Sequence, residues 1–441
     1  MRTLLLGAGL VPFLFLVACG QKTGGSQNQN RNPTEQTRVQ LGAEVLLAQE
    51  LPNLKGKKIG IVAHAATRLP DSTHLVDRLQ AEGLKIVRIF APEHGFRGSA
   101  EAGEKVEDGR DPATGLPVVS LYGPNKRPAQ RHLQDLDLLL FDLQDVGVRF
   151  YTYLSTLAYT MEACAEAGLP IWVLDRPNPN GWYTGGPVLE SGNESFVGVH
   201  PIPMVHGLTL GEYARMINNN GWQPPCTLRV IRLQHYRHNL RWAATGLPWF
   251  APSPNLPTPL SAELYPVLGL LEGTAVSVGR GTDLPFQQAG FPQHTAFQYR
   301  IGLDSVDGTP PTEYELFGAK AVVNRFRPEP RPGAASTPKL QGRLCYGLRF
   351  RTAPGPNGEP MMLAAHLLTN FYNEYNEYYK RLRKPNPEAF FRPIFRLLAG
   401  SGELQQQLRQ APEPEQLVAQ WKEAGKEFRA MRRRYLLYPE R

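Results

Sequence analysis

Short apolar runs alternate with amphipathic stretches between residues 57 and 174 of the chain. Four runs rich in β-branched and other apolar residues predict strands, and these are Lys58–Ala63, Ile86–Phe90, Leu136–Phe141 and Ile171–Leu174. Amphipathic patterns predict helices over Ser72–Ala81 and over Tyr153–Ala167, which is followed by Gly168. Strands that alternate with helices imply crossover connections and a mostly parallel sheet with helices on both faces. The pattern therefore predicts an α/β fold.

The second part of the chain has a different pattern. Thr209-Leu210-Gly211-Glu212 has capping-box spacing and predicts a helix that runs to about Asn219. Proline-rich loops follow, and Gly273–Gly281 then predicts a strand that leads into a Gly-Arg-Gly turn. The composition shifts after Phe286 and indicates a smaller α+β domain over residues 286–441. Its predicted elements are a strand at Leu344–Arg351 and helices at Met361–Arg381 and Glu413–Tyr435.

The first residues have the pattern of an export signal. Met1-Arg2 precedes the apolar run Leu4–Val17, which is shorter than the roughly 20 residues of a membrane span. The run ends in Ala18-Cys19-Gly20, which resembles a bacterial lipoprotein signal whose cleavage leaves Cys19 as the lipidated N-terminus. Gly20 stands where inner-membrane retention signals have aspartate, which favours an outer-membrane anchor facing the periplasm. We therefore expect a signal at 1–19, a flexible tether at 20–38 and a catalytic domain at 39–285.

Composition narrows the functional classes. The 48 basic and 40 acidic residues give a net charge of +8, but the basic residues are scattered or lie in the last helices. No nucleic-acid partner is therefore expected. Cys164, Cys226 and Cys345 lack CxxC spacing, which predicts buried free thiols and no zinc knuckle. The sequence has neither a GxGxxG turn after its first strand nor a P-loop motif, so no cofactor is expected. No feature predicts an oligomeric state.

Polar groups follow each of the four predicted strands. They are His64 after the first strand, Glu93 and His94 after the second, Asp142, Gln144 and Asp145 after the third, and Asp175, Arg176 and Asn178 after the fourth. Open α/β sheets bind ligands at the carboxyl ends of their strands, which meet at one edge of a parallel sheet. These groups are therefore expected to share one cleft.

Two carboxyl groups in a cleft fit glycoside hydrolysis, in which one protonates the leaving oxygen and the other acts as base, nucleophile or stabiliser. Glu93 is the predicted acid, because the apolar residues of Phe90–Phe96 would raise the pKa of its carboxyl. His94 beside it could orient that carboxyl or take part in the reaction itself. Asp145 is the predicted second catalytic group, with Asp142 as an alternative that spacing does not separate from it.

Other hydrolytic chemistries have weaker support in the sequence. Asp, Glu and His at strand ends could also hold a metal, so metal-dependent hydrolysis is the main alternative enzyme chemistry. No HxH or HxxxH pair occurs, however, and His235 and His238 lie three apart in a basic segment, so no metal ligands are assigned. A serine triad is not indicated, because no GxSxG elbow is present.

A series of motifs resembles one family in order along the chain. The motifs are Ala91–Gly98 (APEHGFRG), Leu143–Thr152 (LQDVGVRFYT), Leu174–Pro179 (LDRPNP), His206–Thr209 (HGLT), Ser253–Pro257 (SPNLP), Glu272–Thr274 (EGT) and Gly279–Thr282 (GRGT). They resemble those of the exo-acting β-N-acetylmuramidases, formerly described as a domain of unknown function. The resemblance spans about residues 39–438. One departure is Ala63–Thr67, where that family usually has an Asn-Pro-Thr-Gly-like turn.

The resemblance implies both a fold and an activity. Members of that family have a Rossmann-like N-terminal domain with the active-site cleft and a smaller C-terminal domain, and they release N-acetylmuramic acid from the non-reducing ends of cell-wall fragments. The implied substrates are MurNAc-GlcNAc fragments of peptidoglycan, and the implied catalytic glutamate is Glu93. The lactyl carboxylate of N-acetylmuramic acid calls for a cation. The candidate cations are Arg97, Arg149, Arg176 and Arg280, and the other candidate substrate-binding residues are Tyr151, His206, Ser253 and Asn255.

Two alternatives stay open within this interpretation. The acetamido group of the sugar could serve as the nucleophile, which would leave the second protein carboxylate a stabilising role. The protein could also be a wall-binding lipoprotein that retains the fold without the activity.

Overall fold

The computed structural model describes residues 38–97, 108–292, 313–383 and 386–441. The predicted signal peptide, Cys19 and nearly all of the tether lie outside the described residues. Residues 38–441 group into one compact unit. Among the described residues, no helix combines the length and apolar character needed to cross a membrane.

A seven-stranded sheet forms the centre of the N-terminal half. Across the sheet, the strands are β3 (Gly109–Arg110), β4 (Pro117–Ser120), β2 (Lys85–Ala91), β1 (Lys58–Ala63), β5 (Leu138–Asp142), β6 (Ile171–Leu174) and β9 (Leu228–Ile231). Neighbouring strands are parallel except β3 and β4, which pair antiparallel at one edge. A separate hairpin joins β7 (Gly185–Val188) to β8 (Pro203–Val205). The prediction of a mostly parallel sheet is confirmed.

Both faces of the large sheet are buried. Successive side chains of a strand point to opposite faces, so Ile61 of β1 and Leu140 of β5 pack into one apolar cluster, whereas Val62 and Phe141 pack into the other. Helices α1 and α3 contribute to the first cluster, and α4 and α5 to the second. The helices are α1 (Gly42–Gln49), α2 (Leu51–Leu54), α3 (Leu75–Ala81), α4 (Tyr153–Ala167), α5 (Leu210–Asn219) and α6 (Pro259–Leu268). The predicted cover of helices on both faces is confirmed.

Local sequence signals set several of these helix ends. Helix α4 ends where Gly168 adopts the left-handed conformation, with φ of 64°, and α5 begins with the predicted capping box. In that box the Thr209 side chain accepts from the Glu212 N–H, and the Glu212 carboxylate accepts from the Thr209 N–H. Helix α3 begins later than predicted, because Ser72 has a φ of 70° that a right-handed helix excludes.

A four-stranded antiparallel sheet and five helices form the C-terminal part within the described residues. Across this sheet the strands are β10 (Gln288–Phe291), β13 (Cys345–Phe350), β12 (Ala319–Phe326) and β11 (Tyr314–Leu316). The helices are α7 (Pro360–Arg381), α8 (Phe395–Ala399), α9 (Glu403–Arg409), α10 (Pro414–Ala424) and α11 (Lys426–Arg432). The predicted smaller α+β domain is confirmed, while its boundary at residue 286 stays a prediction.

Two elements predicted in the second part of the chain are wrong. The helix predicted over Glu413–Tyr435 is divided at Gly425, a residue whose flexibility disfavours a helix interior. The strand predicted over Gly273–Gly281 is absent, because a 3₁₀ helix spans Gly269–Gly273 and the following residues make isolated bridges from Thr274 and Ser277. The chain beyond the 3₁₀ helix is therefore held by contacts other than a sheet ladder.

The C-terminal tail returns to the N-terminal half and covers Asp175. The Tyr438 hydroxyl donates to the Asp175 carboxylate at 2.6 Å, Thr209 Oγ1 donates to it at 2.7 Å, and the Gly211 N–H donates at 2.9 Å. Asp175 is fully buried. This burial raises the pKa of Asp175 to about 6, although the hydrogen bonds oppose the rise.

We expect Asp175→Asn to remove a pH-dependent loss of stability. The pKa of Asp175 is about 6 in the folded state against an ordinary 3.8, so the folded state binds the proton more tightly. The free energy of unfolding of the wild type should therefore fall as the pH rises from about 4 to 6. Each tenfold difference in proton affinity corresponds to about 1.4 kcal/mol, which gives a loss on the order of 3 kcal/mol.

Urea unfolding of both proteins at pH 4 and pH 7 measures this loss. The decline in unfolding free energy between the two pH values should be smaller for the variant, because other groups titrate alike in both proteins. An equal decline in the two proteins would contradict the assignment.

Candidate active site

A cavity of about 290 Å³ lies at the carboxyl ends of the parallel strands. One wall comes from loops after the strands and includes Glu93, Tyr122 and Ser253. A second part of the lining comes from the segment after α6 and includes Glu272 and Arg280. Five residues predicted from the sequence line this cavity, and they are Glu93, His94, Tyr151, Ser253 and Arg280. Their predicted roles in the reaction stay predictions.

The turn that carries Glu93 has an unusual backbone. It follows β2, and both His94 (φ 72°) and Gly95 (φ 75°) are in the left-handed region. That region is costly for a residue with a Cβ atom, and such strain clusters at functional sites. His94 is also only 5% exposed. The turn therefore directs the Glu93 side chain toward the cavity by a conformation that the surrounding structure must maintain.

Two hydroxyl groups contact the Glu93 carboxylate. Thr152 Oγ1 donates to Glu93 Oε2 at 2.8 Å, and the Tyr122 hydroxyl also hydrogen-bonds to the carboxylate. Burial, together with the negative charge of Glu93, raises the pKa of Tyr122. A hydroxyl can donate to a carboxylate and accept from a carboxylic acid, so this pair can serve Glu93 in both protonation states. A general acid that is reprotonated in each cycle needs such partners.

A buried hydrogen-bond chain places the backbone of this turn. Burial and the nearby Arg176 charge lower the pKa of His64 well below its ordinary value, so the ring is neutral. The Gln144 N–H donates to His64 Nε2 at 3.1 Å, which assigns the proton to Nδ1, 3.1 Å from the Tyr153 hydroxyl. That hydroxyl donates to the Pro252 carbonyl at 3.0 Å and lies 3.4 Å from the Glu93 carbonyl. The Tyr153 hydroxyl, which His64 orients, thus connects the Glu93 turn to the loop that carries Pro252.

The part of the lining that follows α6 contains an ion pair between Arg280 and Glu272. Arg280 Nε donates to Glu272 Oε1 at 2.6 Å, and the Arg280 guanidinium lies over the Phe286 ring, 5.2 Å from its centroid. Arg280 stands between Gly279 (φ 80°) and Gly281 (φ 79°). A Cβ atom on either glycine would lie 2.6 Å from a backbone oxygen. The Gly-Arg-Gly motif is therefore required by close backbone packing as well as by conformation.

Three of the four candidate arginines do not line the cavity. Arg97 forms two hydrogen bonds with the Asp111 carboxylate, and Arg176 forms a buried ion pair with Asp142. Arg149 is 1% exposed and donates to the backbone carbonyls of Pro187, Ile202 and Leu398. Burial lowers the pKa of Arg149 to about 9. These three arginines are engaged by partners within the protein, and their predicted contact with the substrate stays a prediction.

The remaining predicted residues also lie outside the lining of the cavity. Asp145 is 4% exposed, accepts from the Gly147 N–H at 2.7 Å and lies 3.4 Å from His206. Asp142 and Asp175 are fully buried in the contacts described above. The side-chain amides of Gln144, Asn178 and Asn255 donate to backbone carbonyls of neighbouring loops. These residues, Asp145 among them, are not part of the lining of the 290 Å³ cavity, and their predicted roles at the substrate stay predictions.

Sequence reasoning missed several lining residues. Tyr122 follows β4, a strand of four residues that the sequence pattern did not predict. Its position after a strand is the signal that would have identified it. Glu272 lies in the Glu-Gly-Thr motif, where nothing local indicates that it lines the same cavity as Glu93, because the two are far apart in the chain.

Among the described residues, no group of three or more His, Cys, Asp and Glu side chains could hold a metal ion. His238 instead pairs with Glu212 at 3.0 Å, and Cys164 and Cys345 are buried free thiols while Cys226 is partly buried.

Family models cover most of the chain. The model for the N-terminal domain of the exo-β-N-acetylmuramidase NamZ matches residues 59–260, and the model for its C-terminal domain matches residues 263–438. The chain belongs to the exo-β-N-acetylmuramidase family. The turn with Glu93 lies in the first matched range and Glu272 in the second, so the cavity of this family member forms where its two matched parts meet.

Similar proteins support this membership. The peptidoglycan β-N-acetylmuramidase NamZ of Bacillus subtilis (strain 168) is 34% identical over 434 residues, which cover 98% of each chain. Crystal structures of two DUF1343 family proteins from Bacteroides fragilis NCTC 9343 also resemble this exo-β-N-acetylmuramidase family member. One has a TM-score of 0.73 at 34% identity, covering 92% of this chain and all of the other. The second has a TM-score of 0.78 at 30% identity, covering 91% and 99%.

Proposed function

We propose that this protein is an exo-acting β-N-acetylmuramidase that releases N-acetylmuramic acid from the non-reducing ends of peptidoglycan fragments. The observation that carries the proposal is the Glu93 carboxyl, which lies in a cavity at the strand ends with two hydroxyl partners. Membership of the exo-β-N-acetylmuramidase family supports the same activity and the assignment to glycoside hydrolases. MurNAc-GlcNAc fragments of the cell wall are the proposed substrates.

Glu93 is the proposed general acid. Its proton passes to the glycosidic oxygen as the bond to the anomeric carbon breaks, and the electron pair of that bond leaves with the departing sugar. Water then supplies the hydroxyl group of the released N-acetylmuramic acid, and the proton that this water loses restores the acid form of Glu93. Thr152 and Tyr122 hold the carboxyl in place through both changes of protonation.

Arg280 is the proposed partner of the lactyl carboxylate. It lines the cavity, whereas Arg97 and Arg176 are paired with aspartates and Arg149 with backbone carbonyls. The side chain is held by Glu272 and by the Phe286 ring, so its orientation is set before a ligand binds. A preformed guanidinium binds a carboxylate with little loss of side-chain entropy.

The test is an assay of purified protein that lacks residues 1–19. It should release N-acetylmuramic acid from a chromogenic β-N-acetylmuramide and from MurNAc-GlcNAc, and should cleave the matched β-N-acetylglucosaminide, which lacks the lactyl group, far more slowly. Absence of hydrolysis combined with binding to wall fragments would support the non-catalytic alternative. Loss of activity after chelation would support the metal-dependent alternative.

We also propose that the protein is exported and anchored by a lipid on Cys19 to the outer membrane, facing the periplasm. The proposal rests on the Ala18-Cys19-Gly20 pattern. Fractionation of cells that express the full chain should find the wild type in the membrane fraction and Cys19→Ser outside it. Equal distribution of both proteins would contradict the anchor.

A further inference from the structure

Two carboxylates belong to the lining of the cavity. Among the described residues, Glu93 and Glu272 are the acidic side chains that line it. Tyr265 lines the same cavity, and burial raises its pKa well above the ordinary value, with a further rise from the negative charges of Glu272, Glu93 and Asp145. Of these three carboxylates, Glu272 and Glu93 belong to the cavity lining.

The backbone of Glu272 is fixed by a buried amine. Lys339 Nζ lies 2.7–3.0 Å from four carbonyl oxygens, and they are those of Leu271, Glu272, Thr274 and Val276. The Thr274 and Val276 carbonyls belong to the segment that was predicted as a strand, and the amine binds them where a neighbouring strand would donate its N–H groups. Burial lowers the pKa of Lys339 to about 7, so holding the charged amine here has an energetic cost.

A second set of contacts holds the same segment. The Ala275 N–H donates to the Phe390 carbonyl at 2.7 Å, and the Arg392 N–H donates to the Gly273 carbonyl at 2.8 Å. A Cβ atom on Gly273 would lie 2.6 Å from the Phe395 Cα. The side chain of Glu272 is therefore held at both ends, by Arg280 at its carboxylate and by these contacts at its backbone.

We propose that Glu272 is the second carboxylate of the reaction, which faces the positive charge that develops at the anomeric carbon, and that Lys339 is the residue that positions it. The proposal rests on the proposed muramidase activity and deepens it. Asp145 and Asp142 do not line the cavity, whereas Glu272 lines it, is ion-paired and is rigidly held. Rigid charges aimed at a developing opposite charge stabilise a transition state without reorganisation.

Glu272→Gln tests the catalytic part with two substrates that differ in leaving group. We expect kcat/KM to fall by about 100-fold or more on both MurNAc-GlcNAc and an activated aryl β-N-acetylmuramide. The loss should be similar on both substrates, because charge at the anomeric carbon develops with either leaving group. Loss of a general acid, in contrast, matters much less for an activated aryl group.

Glu263→Gln is the matched control. Glu263 also pairs with an arginine, Arg241, but it does not line the cavity. Its activity should stay within about threefold of the wild type. If Glu272→Gln fails to fold, Glu272→Asp replaces it. Its charge is kept but displaced by one methylene group, so kcat/KM should fall by less than in Glu272→Gln, and by the same factor on both substrates.

Lys339→Met tests the positioning part. We expect a fall in kcat on both substrates with little change in KM, and no further fall when Lys339→Met is combined with Glu272→Gln. A merely structural lysine would give losses that add to those of Glu272→Gln.

Three results would overturn the inference while the wild type is active. They are near-normal activity of Glu272→Gln, a loss confined to the disaccharide, and additive losses in the double variant. An inactive wild type would instead overturn the proposed function on which the inference rests.

Discussion

Glu93→Gln is expected to lower kcat/KM for MurNAc-GlcNAc by about 100-fold or more while the fold stays intact. A positioned general acid contributes about 10²–10⁴-fold to a rate, and glutamine cannot give a proton to the leaving oxygen. The substitution keeps the size of the side chain and an oxygen that can accept from Thr152 and Tyr122. A large change in stability is therefore not expected.

The choice of substrate separates loss of the acid from general damage. An aryl β-N-acetylmuramide with an activated leaving group needs little protonation, so Glu93→Gln should lose much less activity on it. Thermal unfolding checks the fold, and Glu263→Gln serves as the matched control for replacing one carboxylate by an amide. Full activity of Glu93→Gln on the disaccharide would remove Glu93 from its central role.

Arg176→Met is expected to lower the free energy of unfolding by about 3–5 kcal/mol. Asp142 is fully buried at the end of β5, and Arg176 provides its ion pair through Nε and through Nη2, the latter at 2.9 Å. Removing the guanidinium leaves a buried carboxylate without its cation. An uncompensated buried charge strongly destabilises the folded state. The same guanidinium also donates to the Arg68 carbonyl at 3.1 Å.

Urea unfolding at neutral pH measures this effect. The double variant Asp142→Asn, Arg176→Met removes the unpaired charge, so it should recover part of the lost stability. Arg176→Lys keeps the positive charge but cannot bind both oxygens of the Asp142 carboxylate with a planar guanidinium. Its free energy of unfolding should lie between those of the wild type and Arg176→Met. A loss below about 1 kcal/mol for Arg176→Met would show that the pair behaves like an exposed one.

The elements that the sequence predicted well are those set by local chemistry. Apolar runs gave β1 and β6 at their observed bounds, Gly168 ended α4 in a left-handed conformation, and the Thr209 capping box started α5. Each depends on residues within a few positions of one another. The prediction failed where a residue distant in the chain supplies the hydrogen bonds. Lys339 does so for the Thr274 and Val276 carbonyls, which a neighbouring strand would otherwise bind.

The sequence by itself also determined that polar loops follow the parallel strands, that Glu93 stands on one of them, and that the motifs resemble one family. Only the tertiary structure decided which charged groups face the cavity. Arg97, Arg149 and Arg176 looked equivalent to Arg280 along the chain, yet the first three are used by Asp111, by backbone carbonyls and by Asp142. Burying a charge requires a partner, and the partner is chosen by distance in space, which spacing along the chain does not encode.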